Sequence, residues 1–172
     1  MAAANSDMRL VIAGAGGRMG RTLIHAVAAT KGLALAGAVE AAGSAAIGRD
    51  AGELAGLGPN GVKVVSDVAP LLKAADGLIE FTIPAATLAF AELTAAAGLV
   101  HVIGTTGHSA AEEAVIAKTA THAPTISAAI AACRLNHCTR SRIWTVRKLI
   151  GLLSAQSRAV TRERLQYRAG RP

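Results

Sequence analysis

Three short clusters carry the residues whose types and spacing could do chemistry. The first is Gly14-Ala-Gly-Gly-Arg-Met-Gly20, a Gly-x-x-Gly-x-x-Gly pattern. A pyrophosphate needs backbone N–H groups aimed at it from the start of a helix, with no side chain in the way. Gly14, Gly16, Gly17 and Gly20 meet that need, and the N–H groups of Arg18 and Met19 would complete the helix start. Glu40 lies 20 residues beyond Gly20 and is placed to accept hydrogen bonds from ribose hydroxyls. The second cluster is Phe81, Thr82 and Pro84, and the third is Gly104-Thr105-Thr106-Gly107. Small residues at such places let a flat heteroaromatic ring approach the backbone. Each cluster taken singly has a plainer reading: a structural turn, a loop, a helix lead-in. Arg18 is equally open, either reaching a phosphate or standing as a solvated helix residue.

These clusters must be positioned by regular elements, and the chain supplies them in alternation. Met8 to Ala13 reads as a buried strand, and from Arg18 to Ala29 the apolar positions Met19, Leu23, Ile24 and Val27 recur with helical spacing. Leu33 to Val39 is a second strand ending at Glu40. Residues 41–61 read as an irregular excursion with short helical pieces. Val62 to Val65 is a candidate strand, and Asp67 to Ala75 a helix with Asp67 as its cap. Gly77 to Thr82 is a strand, Ala85 to Ala97 a helix stopped by Gly98, and Leu99 to Ile103 a strand. Ser109 with Glu112 forms a capping-box pattern opening a helix to about Thr121, and Thr125 and Ile126 begin one more strand. The alternation predicts an α/β fold of the Rossmann type, a doubly wound parallel sheet. The glycine loop and the ends of the strands at 82 and 104 would then meet one dinucleotide.

Composition sets the limits. Aromatics are only 2% of the 172 residues, so the core must be built from small and branched aliphatic side chains. The net charge of +7 is unevenly placed: residues 1–130 hold 8 Lys/Arg and 10 Asp/Glu, whereas residues 131–172 hold 10 Lys/Arg and one acid, Glu163. Two segments are expected, a dinucleotide-binding domain over 7–130 and a short, atypical basic tail over 131–172. In the tail, 144–153 and 160–167 could form weak helices, but no β-α unit follows. No apolar run reaches the roughly 18 residues of a membrane span, and the N-terminus has no pattern of a secretory signal. A cytoplasmic protein with no membrane partner is expected. Cys133 and Cys138 make neither a disulfide framework nor a metal site, so no metal is expected.

The stretches 11–21, 48–56, Phe81-Thr-x-Pro84 and Val102-Ile-Gly-Thr-Thr-Gly107 together resemble the family of 4-hydroxy-tetrahydrodipicolinate reductase, also called dihydrodipicolinate reductase. The resemblance covers residues 8 to about 126. It implies NADH- or NADPH-dependent reduction of the cyclic product of aspartate semialdehyde and pyruvate, in diaminopimelate and lysine biosynthesis, by a cytoplasmic homotetramer. It places the glycine loop and Glu40 at the adenosine end of the cofactor. Phe81, Thr82, Gly104, Thr105 and Thr106 fall at the nicotinamide end. Many members of the family carry an arginine after the acid, where this chain has Ala41. That favours NADH slightly, with Arg18 or Arg49 available to compensate.

The family's second half supplies an Asn-containing hinge, a His-His-x-x-Lys segment and a Pro-Ser-Gly-Thr loop, and none of these occurs in the sequence. His101, His122, His137 and Lys148 lack the corresponding context and read as surface or packing residues, so no catalytic residue is assigned. The basic tail begins where the hinge should begin, as in a truncated or reading-frame-shifted homologue, and a poorly packed tail is expected. The leading reading is the reductase family, with activity of this chain alone in doubt. The second is a non-catalytic NAD(P)-binding fragment. The third takes the ten tail cations as a contact for nucleic acid phosphates.

Overall fold

The computed structural model describes residues 7–119 and 125–127. The first apolar run forms β1 (Met8–Ala13), and Leu10, Val11, Ile12 and Ala13 are all fully buried. A strand buried on both faces must be covered on both, because successive side chains point to opposite sides. Leu10 and Ile12 pack with Leu23, Ile24 and Val27 of α1 (Arg18–Ala29). Val11 and Ala13 pack on the other side with Val68, Leu72, Leu78 and Leu99.

The remaining strands are β2 (Leu33–Val39), β3 (Val64–Val65), β4 (Gly77–Glu80), β5 (Val100–Ile103) and β6 (Thr125–Ser127). All pairings are parallel, in the order β3-β2-β1-β4-β5-β6. Parallel neighbours need crossovers, and these contain α2 (Ala51–Leu54), α3 (Ala69–Leu72), α4 (Pro84–Ala97) and α5 (Ala110–Thr119). The chain winds outward from β1 to β3, then returns to β4 on the other side of β1. The β1/β4 junction is therefore the point where strand order reverses, and the crevice above its carboxyl ends is where such sheets bind ligands.

Local chemistry sets most element ends. Pro84 occupies the first turn of α4, where its missing N–H costs nothing, and Gly98 ends the helix at φ 64°. At α5, Glu112 Oε2 accepts from Ser109 N–H (2.7 Å) while Ser109 Oγ accepts from Glu112 N–H (3.3 Å), the reciprocal capping expected from the sequence. Three elements are shorter than expected. α3 opens at Ala69, with Asp67 Oδ1 accepting from Ala69 N–H. β3 keeps only Val64 and Val65 because the backbone of Val62 and Val64 bonds with the excursion at Gly48, Arg49 and Ala51 instead. β4 stops at Glu80, two residues before the expected end at Thr82. The expected tail helices, His122, His137, Lys148, Cys133 and Cys138 lie outside the described residues.

Asp50 organises the excursion. It is buried, and its carboxylate accepts from the N–H groups of Gly52, Glu53, Asn60 and Gly61 at 2.9–3.3 Å. Those donors, the Asn60 N–H foremost, hold its carboxyl below the ordinary aspartate value against the opposing effect of burial. Asp50→Ala leaves these amides without their shared acceptor. Hydrogen exchange at Asn60 and Gly61 is expected to accelerate at least about tenfold relative to β1 amides. Unchanged protection there would show that Asp50 is not the organising group.

Candidate functional site

The chain leaves β1 through a turn that only glycine permits. Gly14 sits at φ 79°, and a Cβ on it would lie 2.5 Å from the Phe81 carbonyl oxygen, the backbone at the end of β4. Gly14 and Ala15 both donate to the Val39 carbonyl (2.9 and 3.0 Å), and Gly17 donates to Gly14 (3.1 Å). The glycine loop is thus bonded to the end of β2 and closed on itself. At Gly20 a Cβ would come 2.0 Å from Gly14 O and 2.7 Å from Ala15 Cα, so this glycine lets α1 lie directly on the loop. Gly17 is the residue preceding α1, no side chain caps the helix, and its first turn holds no acid. That start keeps backbone N–H groups and a partial positive charge for an anion. Arg18 is exposed at the same end. Met19 is half-buried and packs its side chain against the core, so its N–H is what it offers to a ligand.

Glu40 follows β2 and reaches back to the loop. Its Oε2 accepts from Gly16 N–H (2.8 Å) and its Oε1 from Ala41 N–H (3.0 Å). A Cβ on Gly16 would meet both Glu40 Oε2 and Ala46 Cβ at 2.9 Å. The acid and the glycine loop therefore form one unit, 24 residues apart in sequence. A cradle from which Cβ atoms are excluded, an open helix start and a carboxylate at the end of β2 fit the pyrophosphate and adenosine ribose of a dinucleotide. Each Glu40 oxygen retains acceptor capacity for a hydroxyl.

Across the β1/β4 crevice lie the ends of β4 and β5. The Phe81 ring covers Gly104 so closely that a Cβ there would fall 2.2 Å from Phe81 Cζ. Beneath them is a group that the sequence reading passed over. Glu80 is fully buried, and every partner of its carboxylate is a donor. Oε1 receives Thr87 Oγ1 (2.6 Å). Oε2 receives Thr82 Oγ1 (2.5 Å), Thr105 Oγ1 (2.5 Å) and Thr82 N–H (3.1 Å). Thr105 Oγ1 also accepts from Thr82 N–H (2.8 Å). Thr105 is itself buried and faces inward, Thr82 is half-buried, and Thr106 is exposed. An acid in a strand covered on both faces has to find partners. That rule, applied to Glu80, would have flagged the network, though not named its members.

His101, on β5 in register with Leu78, is 1% exposed, and neither ring nitrogen has a hydrogen-bond partner among the described residues. Burial pushes its pKa down to about 4, so it is a neutral packing residue, set in the sheet below the crevice. No cluster of three or more metal-binding side chains occurs among the described residues. No helix among them is long and apolar enough to cross a membrane.

The strand order, the glycine cradle and the acid at the end of β2 define a dinucleotide-binding domain of the Rossmann type. Residues 8–131 match the family "Dihydrodipicolinate reductase, N-terminus", and the chain belongs to that family. It is 62% identical over 111 residues to the 4-hydroxy-tetrahydrodipicolinate reductase of Afipia carboxidovorans, a span of 64% of this chain and 41% of that protein. It is 53% identical over 121 residues to the same enzyme of a Rhodopseudomonas palustris strain, covering 70% and 45%. The chain thus spans less than half the length of these relatives. Among solved structures, a dipicolinate-bound dihydrodipicolinate reductase from Paenisporosarcina superposes with TM-score 0.51 at 23% identity, covering 66% of this chain and 43% of that one. An NAD+-bound oxidoreductase from Agrobacterium radiobacter gives TM-score 0.55 at 17% identity, covering 71% and 35%. At these identities the structures speak for the fold alone. The family match ends at residue 131, where the charge balance of the chain also changes.

Proposed function

We propose that residues 7–130 are the cofactor half of a 4-hydroxy-tetrahydrodipicolinate reductase, acting in the cytoplasm and binding NADH in preference to NADPH. The observation that carries this reading is Glu40, held on the Gly16 amide at 2.8 Å and followed by Ala41. Gly14, Gly16, Gly17 and Gly20, with the N–H groups of Arg18 and Met19, take the pyrophosphate. Glu40 takes the adenosine ribose hydroxyls. Phe81, Thr82, Gly104, Thr105 and Thr106 form the nicotinamide end, Thr105 from beneath through its hydroxyl network. A 2′-phosphate would bring a dianion against the Glu40 carboxylate, and residue 41 offers no cation to compensate. When bound, the dinucleotide supplies the hydride.

Reducing an acidic substrate further requires cations for its carboxylates and a proton donor. The sequence carries no His-His-x-x-Lys segment to provide them. Reduction and tetramer assembly are therefore assigned to a polypeptide that also has the second half, and residues 131–172 to a separate basic segment.

Calorimetric titration with NADH and NADPH tests the reading. Saturable binding, tighter for NADH, is expected. Ala41→Arg is expected to raise NADPH affinity about tenfold, by pairing the 2′-phosphate. Absence of binding to folded protein would sink the assignment, and a wild-type preference for NADPH would remove the role given to Ala41.

A further inference from the structure

The contacts of Asp50 restrain a chemically labile pair in the excursion. Asn5 and Asn136 precede Ser6 and His137, and only Asn60 precedes a glycine. With no Cβ beside it, a glycine nitrogen is unhindered, which leaves an Asn-Gly pair open to attack of that nitrogen on the asparagine Cγ. The turn nevertheless calls for glycine, because Gly61 sits at φ 81°, a conformation strained for other residues. Both residues are exposed to water, yet both reacting groups are held. Asp50 divides its acceptors: Oδ2 takes the Gly61 N–H (2.9 Å), and Oδ1 takes the N–H groups of Gly52, Glu53 and Asn60. Asn60 Oδ1 in turn accepts from the Val62 N–H (3.0 Å). The Asn60 Cγ lies over Gly52, where a Cβ would come 2.9 Å from it.

We infer that Asn60–Gly61 is a site of spontaneous deamidation and that Asp50 sets its rate by holding the Gly61 N–H. In the reaction the Gly61 nitrogen gives its proton to solvent and bonds to Asn60 Cγ. The bond from Cγ to the side-chain nitrogen breaks, and ammonia leaves from a closed succinimide ring. Water then adds to one ring carbonyl and breaks its bond to the ring nitrogen. Opening at Cγ yields aspartate, and opening at the backbone carbonyl yields isoaspartate, whose main chain runs through Cβ. Water is consumed, ammonia is released, and nothing is oxidised or reduced. While the Gly61 N–H rests on a carboxylate, losing its proton would set one anion against another. The reaction therefore waits on local opening of that bond. Isoaspartate adds an atom to the main chain between the amides of residues 60 and 61, so the two cannot both keep their places on Asp50.

The test incubates the whole chain at pH 7.5, folded and in urea, and follows the tryptic peptide 50–63 by mass spectrometry for replacement of the Asn60 NH2 by OH. Folded wild type is expected to convert at least about tenfold more slowly than the unfolded chain. Asp50→Asn keeps one acceptor oxygen for the Gly52, Glu53 and Asn60 amides but sets an NH2 group, which cannot accept, against the Gly61 N–H. Folded Asp50→Asn should convert residue 60 about tenfold faster than folded wild type, the effect of losing a charge-assisted hydrogen bond. Fragment ions separate residue 60 from residue 50, and amide exchange at Gly52 should stay within about threefold of wild type. If Asp50→Asn does not fold, as judged by circular dichroism, wild type carries the test. The slowing of its conversion on folding should then match, within about threefold, the protection of the Gly61 amide against hydrogen exchange. No conversion in urea overturns the site itself. Conversion as fast in folded as in unfolded wild type, no acceleration in Asp50→Asn, or slowing beyond the Gly61 protection overturns the role of Asp50. An equal rise in Gly52 exchange does so too, since it traces the acceleration to loss of the whole excursion.

Discussion

Gly20→Ala is expected to abolish dinucleotide binding and to lower the melting temperature by about 10 °C. The added methyl would fall 2.0 Å from the Gly14 carbonyl oxygen and 2.7 Å from Ala15 Cα. Both neighbours are backbone, so no rotamer change can relieve the overlap. The start of α1 has to swing off the loop, which separates the helix N–H groups from the turn that aims them. Overpacking of this kind costs about 3 kcal/mol. Gly17→Ala is the matched control: its methyl would meet only Gly14 O, at 3.3 Å, with φ at −75°. It should cost much less stability, so any loss of binding there comes from the ligand side. Thermal denaturation and calorimetry on the pair check this, and equal destabilisation by both would refute the close-packing argument for Gly20.

The second large effect is on stability against pH. His101 is buried without a hydrogen-bond partner among the described residues, and its pKa falls from the ordinary 6.5 to about 4. Between those values the unfolded chain binds a proton at this ring and the folded chain does not. Stability from this group is complete above pH 6.5 and is lost as the pH falls towards 4, by about 3 kcal/mol in all and about 2 kcal/mol by pH 5. The carboxyls of Asp50 and Glu112 are held below their ordinary values by backbone N–H groups. Their stabilisation is present at neutral pH and is lost at more acidic pH, as it falls through the depressed values. Urea unfolding at pH 7.5 and 5.0 should therefore show a marked drop in wild type and a nearly flat response in His101→Leu. A variant that retains the full drop would place the pH dependence elsewhere.

Much of this architecture is legible locally because its signals are local. Pro84 and Gly98 bracket α4 through one residue's φ each. Ser109 and Glu112 open α5 through hydrogen bonds that span three positions. The glycine spacing at 14–20 marks a turn because excluding a Cβ is a property of the residue itself. Where local and distant demands compete, the sequence reads less well. Val62 has the residue type of a strand, yet its carbonyl serves the Ala51 N–H (2.8 Å), and β3 shortens accordingly.

The sequence by itself determined the α/β alternation, the place of the phosphate loop and the acid that follows β2, because periodicity and glycine content act over a few residues. Tertiary structure alone decided that Glu40 would rest on Gly16, that Asp50 would gather four amides, and that Thr105 would turn inward to Glu80. Those contacts join residues up to 25 positions apart. A buried charge cannot remain unpaired, but the choice of partner depends on which strand ends the crossovers bring together. Thr87 answers Glu80 because α4 lies over β4, and Phe81 covers Gly104 because β5 pairs with β4 in that register.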